Sequence, residues 1–189
     1  FQPYFIEDGI DYPSNLPKYQ VDKILELVEQ TILCLGINYG SAKGDIIIHN
    51  NKPYILEMAC RTSGGWFSSG SIPIARGIDP IKYLLSMSIG VTPDENLLVP
   101  KSDFFCSQRY WIPKERFKFL GTHEIEQIRK LPGVVMFEHF FPKEGTLVLK
   151  AQNHTQRYAQ IICVGSSREE SIIRAENAIN SIIIKTKND

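Results

Sequence analysis

The sequence predicts an α+β protein, with helices packed on a mixed, largely antiparallel sheet and a small C-terminal α/β subdomain. Three observations carry that expectation. A long stretch after Pro17 repeats apolar residues at helical spacing, and two β-rich runs flank the turn-forming Asn50-Asn51-Lys52-Pro53. Beyond residue 102, several further β-rich runs end in one capped helix.

In chain order, the opening FQPYFIEDGIDYPSNLP is rich in Pro, Asp and Asn and reads as loop, and the chain starts at Phe1. A missing N-terminal part is expected from this. Val21, Ile24, Leu25, Val28, Ile32 and Leu35 then mark an amphipathic helix over 19–35, with Gly36 as its stop. DIIIH (45–49) and YILEMA (54–59) read as a hairpin. Asp79-Pro80 supplies an N-cap and a first-turn proline for a helix that ends at Gly90. VTPDENLLVPKS breaks the pattern, which places a subdomain boundary within 91–102 and divides the chain into 1–95 and 96–189. FFCSQRYWI, a short helix near 123–130, VVMFEHFF, TLVLKA and RYAQIICV follow. The last helix, 167–181, begins with the capping box Ser167-x-x-Glu170 and turns Ile172, Ile173, Ala175 and Ile179 toward a sheet.

Composition narrows the class. With 189 residues the chain is long enough for a real core, and a 43% apolar share is ordinary for a globular protein. Basic and acidic residues balance at 21 each, so no net field favours nucleic acid or an anionic membrane. The 4 cysteines (Cys34, Cys60, Cys106, Cys163) are far apart, which argues against a zinc site or a disulfide framework and for a reducing, cytoplasmic setting. No apolar run approaches the ~20 residues that span a bilayer.

The chemistry concentrates in the hairpin. Asp45 shares a strand face with Ile47 and His49, and Glu57 shares one with Ile55 and Ala59. A loop formed by Asn50–Lys52 pairs position 45 with position 57 and projects both carboxylates together at about 5 Å between Cβ atoms. A two-residue loop places them on opposite faces. Paired carboxylates suit Mg²⁺, which takes one or two protein carboxylates and completes its shell with waters and phosphates. Arg61, just beyond, matches an anionic substrate or a transferring phosphoryl group. Ser63, Gly64 and Gly65 form a turn whose backbone amides can approach a ligand closely. The same residues admit a plainer reading: Glu57 and Arg61 as a salt bridge, Ser-Gly-Gly as a loop, and Asp45 as a strand-start residue. His49 reads as a solvated edge residue, and Arg109 as an exposed strand residue rather than a substrate contact.

At these residues the chain resembles the ATP-grasp superfamily of carboxylate-amine ligases. GDIII is similar to the strand carrying its first acidic metal ligand, PYILEMACRTSGGW to its E-x-N-x-R strand and glycine turn, and IARGIDPIKYLLSMSIG to the helix that follows. LCLGI fits the lead into the metal strand, and SQRYWIP with the later GVV strand is similar to the C-terminal region of the subgroup with L-amino acid ligases. The resemblance implies a partial ATP-grasp fold. On it, residues 1–95 are the metal- and phosphate-binding C-terminal subdomain and residues 96–189 a ligase-associated one. It further implies ATP and Mg²⁺ as cofactors, Asp45 and Glu57 as metal ligands, Arg61 as the catalytic residue, and Arg61, Ser63, Gly64 and Gly65 as substrate-binding. The chemistry implied is an acyl phosphate attacked by an amine, on small-molecule carboxylate and amine substrates. A homodimer is the default expectation.

Two departures stand out. Ala59 occupies the place of the family's asparagine, and the phosphate-contacting lysines, acidic adenine linker and glycine-rich lid have no counterpart in this sequence. The fragment alone is therefore expected to be inactive. An ATP-grasp carboxylase or carbamoyl-phosphate type enzyme, and a non-catalytic relic serving as a binding module, are the rival readings.

Overall fold

The computed structural model describes residues 3–187. The chain folds as two compact units, one built from residues 14–73 and 77–101, the other from 74–76, 102 onward and the residues up to 13. All described strand pairings are antiparallel.

In the first of these units, α1 (Lys18–Cys34) lies against a hairpin of β2 (Lys43–His49) and β3 (Lys52–Ala59). The helix half-buries Val21, Ile24, Val28 and Ile32, whereas Leu25 and Leu35 are exposed. The buried stripe is thus narrower than the periodicity suggests, because two strands offer little surface to cover. α1 closes in a Schellman turn: the Gly36 N–H donates to the Leu33 carbonyl and the Ile37 N–H to the Ile32 carbonyl. After β3, a single π-helical turn (Phe67–Ser71) runs into α2 (Ile72–Arg76), whose last three residues belong to the other unit. α3 (Pro80–Ser88) starts where the Asp79 carboxylate accepts from the Lys82 N–H at 2.9 Å, with proline in the first turn as expected.

The second unit is built on a four-stranded sheet, ordered β1 (Gly9–Tyr12), β4 (Phe105–Trp111), β8 (Ala159–Gly165), β6 (Val134–His139). The opening segment is therefore not all loop: Gly9 to Tyr12 pair with Arg109 to Cys106, which makes β1 an edge strand of this sheet. A second sheet joins β7 (Leu147–Val148), β5 (Phe117–His123) and β9 (Ile183–Lys187). The sequence reading did not foresee β5 or β9, since the Gly121 break in one and the lysines of the other hide the period-two signal. The expected short helix is 3₁₀, Ile125–Lys130.

α4 (Arg168–Asn180) covers the four-stranded sheet. Its buried face is Ser171, Ala175, Ala178 and Ile179, packed with Ile128, Phe137, Ile161 and Cys163. Ile173, expected to face the sheet, is exposed, because it falls about 160° from Ser171 and Ala175 around the helix. The predicted capping box forms only in part: Ser167 Oγ accepts from the Glu170 N–H at 3.1 Å, but the Glu170 carboxylate turns to Ser166, accepting from its N–H and hydroxyl at 2.6 Å. Those bonds hold the Glu170 carboxyl below the usual carboxylate range. The Ser107 and Ser171 hydroxyls share a buried bond of 2.8 Å between β4 and α4. All four cysteines are free, and burial pushes the Cys163 thiol up to about 12. Among the described residues, no helix is long and apolar enough to cross a membrane.

Substitutions at two positions test this packing. A Cβ at Gly165 would lie 2.5 Å from the Ser171 nitrogen and 2.9 Å from the Ser167 carbonyl oxygen, both backbone atoms. Gly165→Ala should therefore cost about 1–3 kcal/mol, read as a lower urea midpoint. In the hairpin, Asn50 and Asn51 have φ of 49° and 58°. Asn50→Val should cost about 1–2 kcal/mol while Asn50→Gly stays near neutral, by the same measurement.

Candidate metal and phosphate site

The register of the hairpin decides whether the two acids meet. His49 pairs with Lys52, so the loop is the two residues Asn50-Asn51, both left-handed as a type I′ turn requires. That loop corrects the longer one on which the pairing of 45 with 57 was expected to depend. Carried through regularly, it would set Asp45 opposite Leu56 and send Glu57 to the other face. It does not, because the ladder shifts between Asp45 and Ile46: Ile46 pairs with Ile55, and Asp45 pairs with Glu57. Leu56 is the extra residue of a β-bulge, and it is exposed.

The bulge leaves Ile46, Ile48, Pro53 and Ile55 half-buried and turns Asp45, Ile47, His49, Tyr54 and Glu57 outward. Asp45 and Glu57 thus stand directly opposite each other on the exposed face, with side chains 51% and 59% accessible. Each carboxylate has a cation beside it. Lys43 Nζ lies 2.5 Å from Asp45 Oδ2, and Arg61 Nη2 lies 4.0 Å from Glu57 Oε1. Arg61 also donates through Nη1 to the Thr62 carbonyl at 3.0 Å, while its own N–H reaches the Ala59 carbonyl at 3.0 Å and curls the chain away from the strand.

The turn beyond is tight. The Ser63 N–H donates to Ser68 Oγ at 2.9 Å and the Phe67 N–H to the Gly64 carbonyl at 3.1 Å. Gly65 (φ 61°) and Trp66 (φ 66°) are consecutive left-handed residues; glycine adopts that conformation freely, a bulky aromatic rarely. Space beside the Gly64 α-carbon is open to at least 4 Å, which suits close approach of a ligand to the backbone. The structure therefore brings Asp45, Glu57 and Arg61 together and sets Ser63, Gly64 and Gly65 in the following turn.

As a cation site the donor set is two carboxylates, within what Mg²⁺ accepts from protein. Among the described residues, no group of three or more His, Cys, Asp or Glu is placed to hold a metal. Ala59, opposite Lys43, adds no side-chain oxygen. Lys43 was missed from sequence, although its spacing of two from Asp45 already placed both on one strand face.

The second unit holds a cleft of about 540 Å³ lined by Asp8, Asp11, Arg109, Lys114 and Glu176 among others. Arg109 is not exposed as expected; its side chain is 15% accessible, bonded to Asp11 at 2.8 Å and near Glu176 at 3.5 Å. Strand pairing with β1 supplies Asp11, which sequence spacing alone does not reveal. Arg109 thus ties the edge strand to β4 and α4.

Residues 109–187 match the family described as L-amino acid ligase C-terminal domain 2. The uncharacterized protein y4rH of Sinorhizobium fredii is 19% identical over 95% of this chain and 37% of its own length. An L-amino acid ligase from Bacillus licheniformis superposes with a TM-score of 0.84 at 18% identity, over 98% of this chain and 48% of that one. A phosphoribosylglycinamide synthetase from Anaerococcus prevotii gives 0.80 at 22%, over 96% and 46%. The chain spans less than half the length of each of these relatives. The chain thus shares the fold of these two enzymes over nearly its whole length and, at 109–187, matches the family model of the second C-terminal domain of L-amino acid ligases.

Proposed function

We propose that this chain is the C-terminal part of an ATP- and Mg²⁺-dependent cytoplasmic ligase that joins a small-molecule carboxylate to an amine. The observation that carries the reading is the Leu56 bulge, which sets Asp45 opposite Glu57 despite a two-residue turn. Like charges directly opposite each other destabilise a sheet, and Lys43 and Arg61 beside the pair offset part of that cost. A cation shared with phosphate oxygens reverses that cost.

In this reading Asp45 and Glu57 hold Mg²⁺, which when bound offsets charge on the nucleotide phosphates. A substrate carboxylate oxygen attacks the γ-phosphorus, the bond to the β-bridging oxygen breaks, and ADP leaves. The amine then attacks the acyl carbon, phosphate departs with the bonding pair, and a proton is lost from nitrogen. Arg61 is the catalytic residue: its guanidinium, anchored through the Thr62 carbonyl, faces the carboxylate or the transferring phosphoryl oxygens. Ser63 and the amides of Gly64 and Gly65 line the same turn and take the substrate's anionic end. A homodimer is the assembly proposed.

The full-length protein should hydrolyse ATP only when a suitable carboxylate and amine are both supplied, measured as ADP release across an amino acid panel. Release independent of any amine points instead to a carboxylase-type reaction, and none under any condition to a binding module. Glu57→Gln, at an exposed position, should leave the circular dichroism and melting temperature unchanged and lower turnover by about 100-fold or more. Turnover near wild type would remove Glu57 from the site.

A further inference from the structure

Four charges line the outer end of the hairpin: Lys43, Asp45, Glu57 and Arg61. Their formal sum is zero, and each carboxylate has its own cation, Lys43 at 2.5 Å from Asp45 and Arg61 at 4.0 Å from Glu57. Lys43 is the more firmly placed of the two cations. Its side chain is 19% accessible against 54% for Arg61, so it is held along the sheet rather than swinging in solvent. It also stands in register with Ala59, the cross-strand position next to the acid pair on the same face. Lys43 therefore borders the carboxylate pair on its Ala59 side.

We infer that Lys43 is a resident counter-cation that makes divalent-metal binding at this site conditional on a polyphosphate. The inference rests on the metal reading of Asp45 and Glu57. A bare divalent cation entering the site must separate Lys43 from Asp45, and the cluster, Lys43 and Arg61 included, then sums to +2. That arrangement is unfavourable at the effective dielectric of a protein surface. When the cation arrives with a polyphosphate, the anionic oxygens compensate it, and the ammonium freed from Asp45 pairs with phosphate instead. Metal and polyphosphate then favour each other's binding reciprocally, and Lys43 carries part of that coupling. Lys43 is a positioning residue on the protein alone and touches the ligand only once the polyphosphate is bound.

Calorimetry on the full-length protein tests this with Mn²⁺ alone and with ADP in saturating Mn²⁺. Lys43→Met should tighten Mn²⁺ alone by about tenfold and weaken ADP by about tenfold, shifts of opposite sign, while Lys43→Arg stays near wild type on both. A purely structural Lys43 would move the melting temperature and leave both affinities unchanged, or shift them in the same direction; either outcome overturns the inference. Glu57→Gln separates the two levels of argument. If it binds Mn²⁺ with ADP as tightly as wild type, the metal assignment itself falls. If it loses that binding while Lys43→Met shows no opposed shifts, only the role given to Lys43 falls.

Discussion

One backbone irregularity governs the candidate site. The Asn50-Asn51 turn fixes a register that would part Asp45 from Glu57, and the extra residue Leu56 reverses that outcome. A slip of one residue in a strand flips every side chain beyond it, so a single bulge transfers Glu57, Ala59 and the approach to Arg61 from one face to the other. The apolar residues nearer the turn keep their orientation toward α1. The hairpin can thus bury an ordinary inner face and still present a charged outer end, which a regular ladder with this sequence cannot do.

The turn after β3 extends that arrangement. Gly65 and Trp66 are both left-handed, and a π-helical turn follows at once, with the Gly70 and Ser71 N–H groups both donating to the Trp66 carbonyl. Unusual backbone of this kind persists where surrounding contacts enforce it, and it clusters at ligand sites. Here it starts immediately past Arg61, so the guanidinium and the backbone amides of the turn are positioned by the same short segment.

Much of this was legible in the sequence where a residue carries its own local instruction. Gly36, Asp79-Pro80 and Ser167 mark helix ends through capping chemistry, and each does so in the structure. The hairpin was legible from its β-branched runs. Its register was not: the turn formers from Asn50 to Pro53 left both a two- and a three-residue loop open, and a bulge leaves no compositional trace when the extra residue is a leucine. The sequence also hid what depends on distant pairing. β1 exists because Gly9 to Tyr12 meet β4, nearly a hundred residues away, and Arg109 is enclosed only because that pairing delivers Asp11. β9, with three of its five residues polar, becomes a strand by lying beside β5. Local propensity cannot report such partners.

The order of β1 and β4 in the chain has a consequence for biogenesis. The compact unit containing the hairpin lies between them in sequence, so it can complete its contacts as soon as residue 101 has left the ribosome. The four-stranded sheet must wait for β8, one of its two inner strands, and for α4 behind it. During synthesis β1 therefore stays unpaired until β4 has emerged, with the whole hairpin unit made in between.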